Sequence, residues 1–279
     1  MKLFVTGGTG FIGSHFLMLA VQAGHEVLAL KRAQSQPRLP LTFQPTWLEG
    51  TLTEDWSKAL EHCDVLVHLA AAGVNPNFND WHSLFSVNVS QSLDLWLQAK
   101  QAGVKRLVVC GSCSEYGYSG EQYEFIPTTA PLQPTNAYGA SKASASLAAM
   151  GLAVQMEWEV VLLRPFHVYG QGEAEFRLWP SLRKAALAGA DFPMTAGEQI
   201  RDFMPVEQVA QQFLHACEMS NIQAGNPMVK NLGTGKPQTV REFSEFWWQH
   251  WQATGQLLLG KIPYRSHEVM RYVPKIPRD

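Results

Sequence analysis

The segment "AYGASK" places Tyr138 four residues before Lys142. On a helix these two side chains project from one face, one above the other. A phenol with an ordinary pKa of about 10 is a poor base at neutral pH. An ammonium beside it stabilises the phenolate and brings the tyrosine into the range of general acid/base work. Ser112 closes the apolar run "VKRLVVCGS". At a strand's carboxyl end its hydroxyl can hydrogen-bond the same substrate oxygen. Upstream, "VTGGTGFIG" spaces Gly7, Gly10 and Gly13 three apart and satisfies G-x-G-x-x-G from Gly8. Glycines there permit a tight turn, close approach of backbone to a pyrophosphate, and close packing of helix on strand. The amino terminus of the following helix adds free N–H groups and a positive dipole end. Together these residues describe a dinucleotide-binding turn and, separately, a tyrosine placed for general acid/base work at the same sheet edge.

About 20 residues past such a turn an acidic residue usually holds a ribose hydroxyl. This chain has Lys31 and Arg32 there, in "HEVLALKRAQ". A basic pair attracts a 2′-phosphate, Arg bidentately and Lys as a mobile point charge. NADP is therefore preferred over NAD. Cys110 and Cys113 form C-G-S-C. A redox pair would need an activated thiolate at a helix start, and "SEYGYSG" reads as loop instead. With only Cys63 and Cys217 besides, no zinc site is expected.

These groups need a scaffold. Short apolar runs, "KLFVT", "HEVLAL", "TWLEG", "DVLVHLA", "VKRLVVCGS" and "EVVLLRP", alternate with segments of helical spacing. That rhythm predicts an α/β fold, a doubly wound parallel Rossmann sheet covered on both faces. After Pro165 the rhythm loosens. Helices are expected in "FRLWPSLRKAALAG", "VEQVAQQFLHACEM" and "VREFSEFWWQHW". The expected organisation is a dinucleotide-binding domain over residues 1–165, with 206–234 returning to it. A smaller C-terminal substrate-binding lobe then takes 166–205 and 235–279. At 279 residues the chain can bury a large core, and its net charge of −2 suggests no nucleic-acid partner. No apolar signal region precedes the glycine turn, and residues 143–156 are too few to span a bilayer. A soluble, cytoplasmic protein is expected.

Taken together, "TGGTGFIG", "VHLAA", "VNV", "GSCSEYG", "YGASK", "LRPFHVYGQG", "RDFMPVEQVA" and "NLGTGKPQTVREF" resemble the extended short-chain dehydrogenases/reductases of the NAD-dependent epimerase/dehydratase, nucleotide-sugar group. The resemblance implies that Tyr138 exchanges a proton with a sugar hydroxyl or ketone and that Lys142 tunes it and binds the nicotinamide ribose. Ser112 then polarises the carbonyl, and Asn88 supports the lysine and a water. It sets Gly7, Gly10, Phe11, Ile12, Gly13, Leu69, Ala70, Ala71 and Pro165 along the cofactor, and Arg201 and Arg265 on the substrate's diphosphate. His167, where the family commonly has asparagine, joins the substrate residues. Related 4,6-dehydratases carry an Asp-Glu pair where this chain has Cys113 and Ser114, and Glu115 is displaced by one residue. Dehydration is thus disfavoured. With the basic pair, the expectation is an NDP-4-keto-6-deoxyhexose reductase. The alternatives are an NDP-sugar epimerase with a tightly held cofactor and a non-catalytic NAD(P) sensor or scaffold. A homodimer through the long helices would use Trp96, Leu97 and Met150, although core packing is the simpler reading of these residues.

Overall fold

The computed structural model describes residues 1–73, 80–265 and 268–277. The first six strands are β1 (Lys2–Thr6), β2 (Glu26–Lys31), β3 (Thr46–Glu49), β4 (Val65–His68), β5 (Arg106–Cys110) and β6 (Glu159–Pro165). Between them run α1 (Phe11–Gln22), α2 (Ser57–Leu60), α3 (Trp81–Phe85), α4 (Ser92–Gln101) and α5 (Ala137–Gln155). Beyond β6 come β7 (His167–Tyr169), α6 (Leu178–Leu187), β8 (Phe192–Pro193), β9 (Ile200–Arg201), β10 (Phe203–Pro205) and α7 (Val206–Glu218). The chain continues through β11 (Met228–Leu232), β12 (Gln238–Thr239), α8 (Val240–His250), β13 (Leu257–Leu258) and β14 (Arg271–Tyr272).

One seven-stranded sheet has the order β11-β6-β5-β4-β1-β2-β3. Every pairing in it is parallel. Alternation along β1 explains both covered faces. Leu3 and Val5 enter one core with Phe16 and Leu17 of α1 and Val209 and Phe213 of α7. Phe4 enters the other with Leu95 and Trp96 of α4 and Ala145 and Ala149 of α5. The order in which strands are added reverses between β1 and β4, and in open α/β sheets ligands bind at the carboxyl edge of that switch point.

One expectation is corrected. Helical spacing predicts one continuous helix from residue 78 to Gly103; its first two residues lie outside the described ones. Instead α3 and α4 are joined by a π-helical turn, Ser86–Gln91, which buries Asn88. Such single turns absorb an extra residue and re-aim a side chain. Trp96, for which core packing is the simpler reading and a dimer contact the alternative, is fully buried and packs edge-on against His68 with centroids 5.4 Å apart. Its large apolar surface is better covered by the sheet than by a partner.

β11 extends the sheet by pairing with β6, and α7 lies on α1. The remaining short strands and α6 and α8 form a lobe, with Leu182, Ala186 and Trp248 at its centre. Among the described residues no helix is long and apolar enough to cross a membrane. No group of His, Cys, Asp and Glu among them could hold a metal ion.

Candidate active site

Gly7 has φ +70°, a backbone state that favours glycine. A Cβ on Gly13 would sit 2.1 Å from the Gly7 carbonyl oxygen. The turn and the first turn of α1 therefore touch backbone to backbone. The helix start, capped by Gly10, has no side-chain hydrogen bond to its N–H groups. A narrow turn with unsatisfied donors suits a pyrophosphate, so these residues fit a dinucleotide. Phe11 and Ile12 open the helix. On the facing side, Leu69 and Ala70 donate their N–H groups to the Thr6 carbonyl and hydroxyl oxygens at 3.1 and 3.3 Å. Thr6 Oγ1 and Ser92 Oγ flank the two ring nitrogens of His68, each at 3.0 Å. Burial pushes that imidazole down to a pKa of about 3, so His68 is a neutral strut. Half-buried Ala71 follows, and Asn88 pins the next residue by accepting from Ala72 N–H at 2.7 Å. Asn88 also donates to Ser141 Oγ at 2.9 Å, beside Lys142.

Ser112 follows β5 and caps a short 3₁₀ turn. Tyr138 and Lys142 lie in the first turns of α5, whose start is capped by Asn136 accepting from Gly139 N–H. Small residues along α5 let it lie close to the β5 loop: a Cβ on Gly139 would be 2.6 Å from Ser114 O. The ammonium of Lys142 donates to Cys110 O at 2.6 Å. The expectation that this lysine would bring the Tyr138 pKa down is not met in the chain alone. Burial and the neighbouring Cys110, Cys113 and Glu115 raise it, and a hydrogen bond with Ser112 offsets only part. Tyr138 thus rests as the neutral phenol, the proton-donating form. Burial also pushes the thiols of Cys110 and Cys113 up to about 11 and about 12. All four cysteines are free, and the C-x-x-C spacing carries no activated thiolate.

At the end of β2, Lys31 Nζ lies 5.6 Å from the centroid of Trp47. Both line a cavity of about 390 Å³, shared with Arg38 and Gln44. Arg32 is exposed and does not line it. Arg38 also lines it, held by its N–H donating to Ser14 Oγ at 3.0 Å. No local spacing signals this residue, because the loop that brings it back has no regular structure.

Pro165 ends β6 opposite Leu232. His167 is fixed through its N–H on Asp202 O, and its ring lies edge-on to Tyr272, 6.4 Å away. Its Nδ1 is buried with no partner among the described residues, and burial and Arg201 push its pKa down to about 3. Arg201 is more committed than expected. It is buried, ion-paired to Glu268 at 2.9 Å, and donates to Val269 O at 2.6 Å. These bonds fasten the downstream segment, since a buried guanidinium must be paired. Arg265 is exposed, its carbonyl accepting from Glu268 N–H. Tyr272 donates its hydroxyl to Cys113 O at 2.7 Å, so residues far downstream grip the Ser112 loop. A second cavity, of about 670 Å³, lies between residues 170–175 and α6. Glu173 in its wall is pushed up to about 7 by burial. Neither cavity is lined by Ser112, Tyr138 or Lys142.

A glycine cradle and a serine–tyrosine–lysine set thus share one sheet edge. The sequence model of the family described as "NAD dependent epimerase/dehydratase family" matches residues 3–233. The chain belongs to that family. Within the epimerase/dehydratase family, a UDP-glucose 4-epimerase of Corynebacterium glutamicum is 28% identical over 270 residues, covering 88% of this chain and 79% of the relative. One from Neisseria meningitidis serogroup C is 29% identical over 275 residues, covering 86% and 80%. Among solved structures, MoeE5 in complex with UDP-glucuronic acid and NAD superposes with a TM-score of 0.83 at 26% identity. That match covers 99% of this chain and 90% of the other. A UDP-N-acetylglucosamine 4-epimerase from Methanobrevibacter ruminantium shares the fold, with a TM-score of 0.88 at 24% identity over 99% and 89% of the two chains.

Proposed function

We propose that this protein is an NAD(P)-dependent nucleotide-sugar 4-epimerase. The observation that carries the reading is Tyr138 hydrogen-bonded beside Ser112, with no free carboxylate next to that serine among the described residues. Cys113 and Ser114 occupy the positions of a dehydratase's acid pair, and Glu115 is locked to Arg164 at 2.8 Å. Proton transfer at a single sugar oxygen is the chemistry this set supports. Relatives across most of the chain carry the name UDP-glucose 4-epimerase. A bound dinucleotide supplies hydride acceptance and return at the sugar carbon.

The chain's own residues supply the rest. Gly7, Gly10, Phe11, Ile12 and Gly13 receive the pyrophosphate, and Leu69, Ala70, Ala71 and Pro165 line the remainder of the dinucleotide. Ser112 holds the sugar 4-oxygen by a hydrogen bond. Tyr138, once deprotonated to the phenolate beside the Lys142 ammonium, would take the proton as the hydroxyl becomes a ketone and, as the phenol, would give it back in the return step. Lys142 holds the Ser112 loop through Cys110 O and adds positive charge beside the phenol. His167 offers its unpaired Nδ1 to the sugar. Asn88 fixes the loop after β4 against α5.

The end of β2 favours a second reading, that of an NDP-4-keto-6-deoxyhexose reductase. Lys31 and Arg38 around the first cavity suit a 2′-phosphate. NADPH consumed in a net reduction must exchange on every turnover. The four free thiols suit a reducing compartment such as the cytoplasm. Exposed Leu147 and Val154 on α5 supply a dimer face in place of Trp96. One experiment separates the readings. The purified protein is incubated with UDP-glucose and UDP-N-acetylglucosamine plus catalytic NAD⁺ or NADP⁺, and in parallel with an NDP-4-keto-6-deoxyhexose plus NADPH. Appearance of the 4-epimer with no net change in reduced cofactor supports epimerisation. Stoichiometric NADPH consumption by the ketosugar alone overturns it in favour of reduction.

A further inference from the structure

Glu115 is fully buried, yet its charge does no work in the proton transfer proposed above. One carboxylate oxygen accepts the Ser112 N–H at 2.7 Å. The other accepts Nε of Arg164, on β6, at 2.8 Å. Arg164 in turn donates to the Tyr116 hydroxyl at 2.9 Å and to Thr128 O at 3.2 Å. The Tyr116 hydroxyl donates to Asn231 Oδ1 on β11 at 2.6 Å. A capping box at a helix start uses the acid's reach back to the cap N–H and leaves its other oxygen to solvent. Here that second oxygen is tied across the sheet, so the backbone of Ser112 is referred to β6 and β11 rather than to its own loop.

Two further points separate this pair from an ordinary ion pair. Burying a charged pair costs several kcal/mol per ion, and well-packed apolar residues would hold the fold as well or better. The arrangement is therefore poor as a stability device and good as a geometric one. The glycine between the two cysteines also makes room for it. A Cβ on Gly111 would lie 2.7 Å from Glu115 Oε1 and 3.0 Å from Arg164 Cγ. The C-G-S-C segment, which has no redox role, is thus shaped by the ion pair next to it.

We infer that Glu115 is a positioning residue for the proton-transfer step, acting through the backbone N–H of Ser112, with Arg164 as its anchor on the sheet. This rests on the reading of Ser112 and Tyr138 as the reacting pair. The hydroxyl of Ser112 must point at the substrate oxygen within a narrow angle, and misplacement by about 1 Å costs on the order of 100-fold in rate. The backbone on both sides is held as well: Gly111 N–H donates to Leu163 O at 2.7 Å, and Cys113 O accepts from Tyr272. Glu115 is the tie at the serine itself.

The test is a double-mutant cycle on the full-length protein, with turnover of whichever nucleotide sugar the wild type converts. Ser112→Ala, Glu115→Gln and the combination are compared, and unfolding is followed for each. Expected are a fall in kcat of roughly 10-fold or more for Ser112→Ala and a similar fall for Glu115→Gln, with KM unchanged. The combined variant is then no slower than Ser112→Ala alone, because Glu115 has nothing left to position. Should Glu115→Gln not fold, Glu115→Gln with Arg164→Met, which leaves no unpaired buried charge, takes its place in the cycle. Full kcat in Glu115→Gln overturns the inference. So does an equal further loss on the Ser112→Ala background, the signature of a merely structural role. Full activity in Ser112→Ala removes the reading of the site itself, and is seen before Glu115 is touched.

Discussion

Replacing Gly13 with alanine is the sharpest test of the cradle. The new Cβ would meet the Gly7 carbonyl oxygen at 2.1 Å and the Gly8 Cα at 2.8 Å. Non-bonded contacts of that kind settle near ~3.5 Å, so α1 must retreat from the turn by about 1.4 Å. No flexible side chain can yield, since every atom met is backbone. Overpacking of this sort costs ~1–3 kcal/mol of stability. The larger effect falls on the ligand, whose pyrophosphate would lose aligned N–H donors. Losing one or two charge-assisted bonds at ~1.5–3 kcal/mol each weakens the dinucleotide by 10-fold at the least. The assays are tryptophan-fluorescence titration with NAD⁺ and NADP⁺ and unfolding in urea. Gly151→Ala is the control: nothing lies within 4 Å of its Cβ and it sits inside α5. That change should stabilise by ~0.5–1 kcal/mol and leave affinity alone. Wild-type dinucleotide affinity in Gly13→Ala would refute the argument that backbone contact at this turn creates the site.

Other outcomes follow from the same structure. Tyr138→Phe should lower kcat by ~10²–10⁴-fold with dinucleotide affinity kept; turnover at the wild-type rate would remove it as the proton carrier. Arg38→Ser should weaken NADPH relative to NADH by ~10-fold or more, as a lost charged hydrogen bond would, and Arg32→Asn should change the ratio less. Paired fluorescence titrations decide it, and a reversed ranking would displace Arg38 from the phosphate site. His68 gives a pH prediction. Its folded pKa, about 3, lies below the ordinary value of 6.5. Below pH ~6.5 the unfolded chain takes a proton the folded chain refuses, so this contribution is whole above that pH. It falls as the pH drops towards 3, with a slope nearing ~1.4 kcal/mol per pH unit. Urea melts of wild type and His68→Gln from pH 7 to pH 5 should show the shallower slope in the variant. Parallel slopes would mean that the imidazole is protonated in place.

What could be read from the chain was what spacing determines. The glycine turn and the alternation of apolar runs with helices depend on neighbours within a few residues, and the parallel sheet follows from them. The family was legible because its segments recur in order. What was not legible depends on which distant group a side chain meets. The Glu268 partner of Arg201 is one such group, brought close only when β14 pairs with β9. Trp96 has helical spacing that suits either a core or a partner, and only the sheet beneath decides. Lys142 stands one turn from Tyr138, as the spacing requires, but its ammonium is claimed by a carbonyl on β5. The π-helical turn has no sequence signature, because one extra residue per turn leaves the apolar pattern nearly unchanged.

The place of β11 bears on how the molecule is made. The strand that closes the sheet beside β6 is encoded after α6, β9 and α7. While the chain is emerging from a ribosome, β6 therefore waits with one side unpaired. The side chains along it, Val160 to Leu163, are apolar and fully buried in the finished fold. An open edge of that kind invites pairing with another chain. A fragment that stops at Pro165 carries every glycine of the cradle and all of Ser112, Tyr138 and Lys142, yet keeps that edge bare. It would aggregate rather than bind, and supplying residues 206–234 as a separate chain would be the natural way to rescue it.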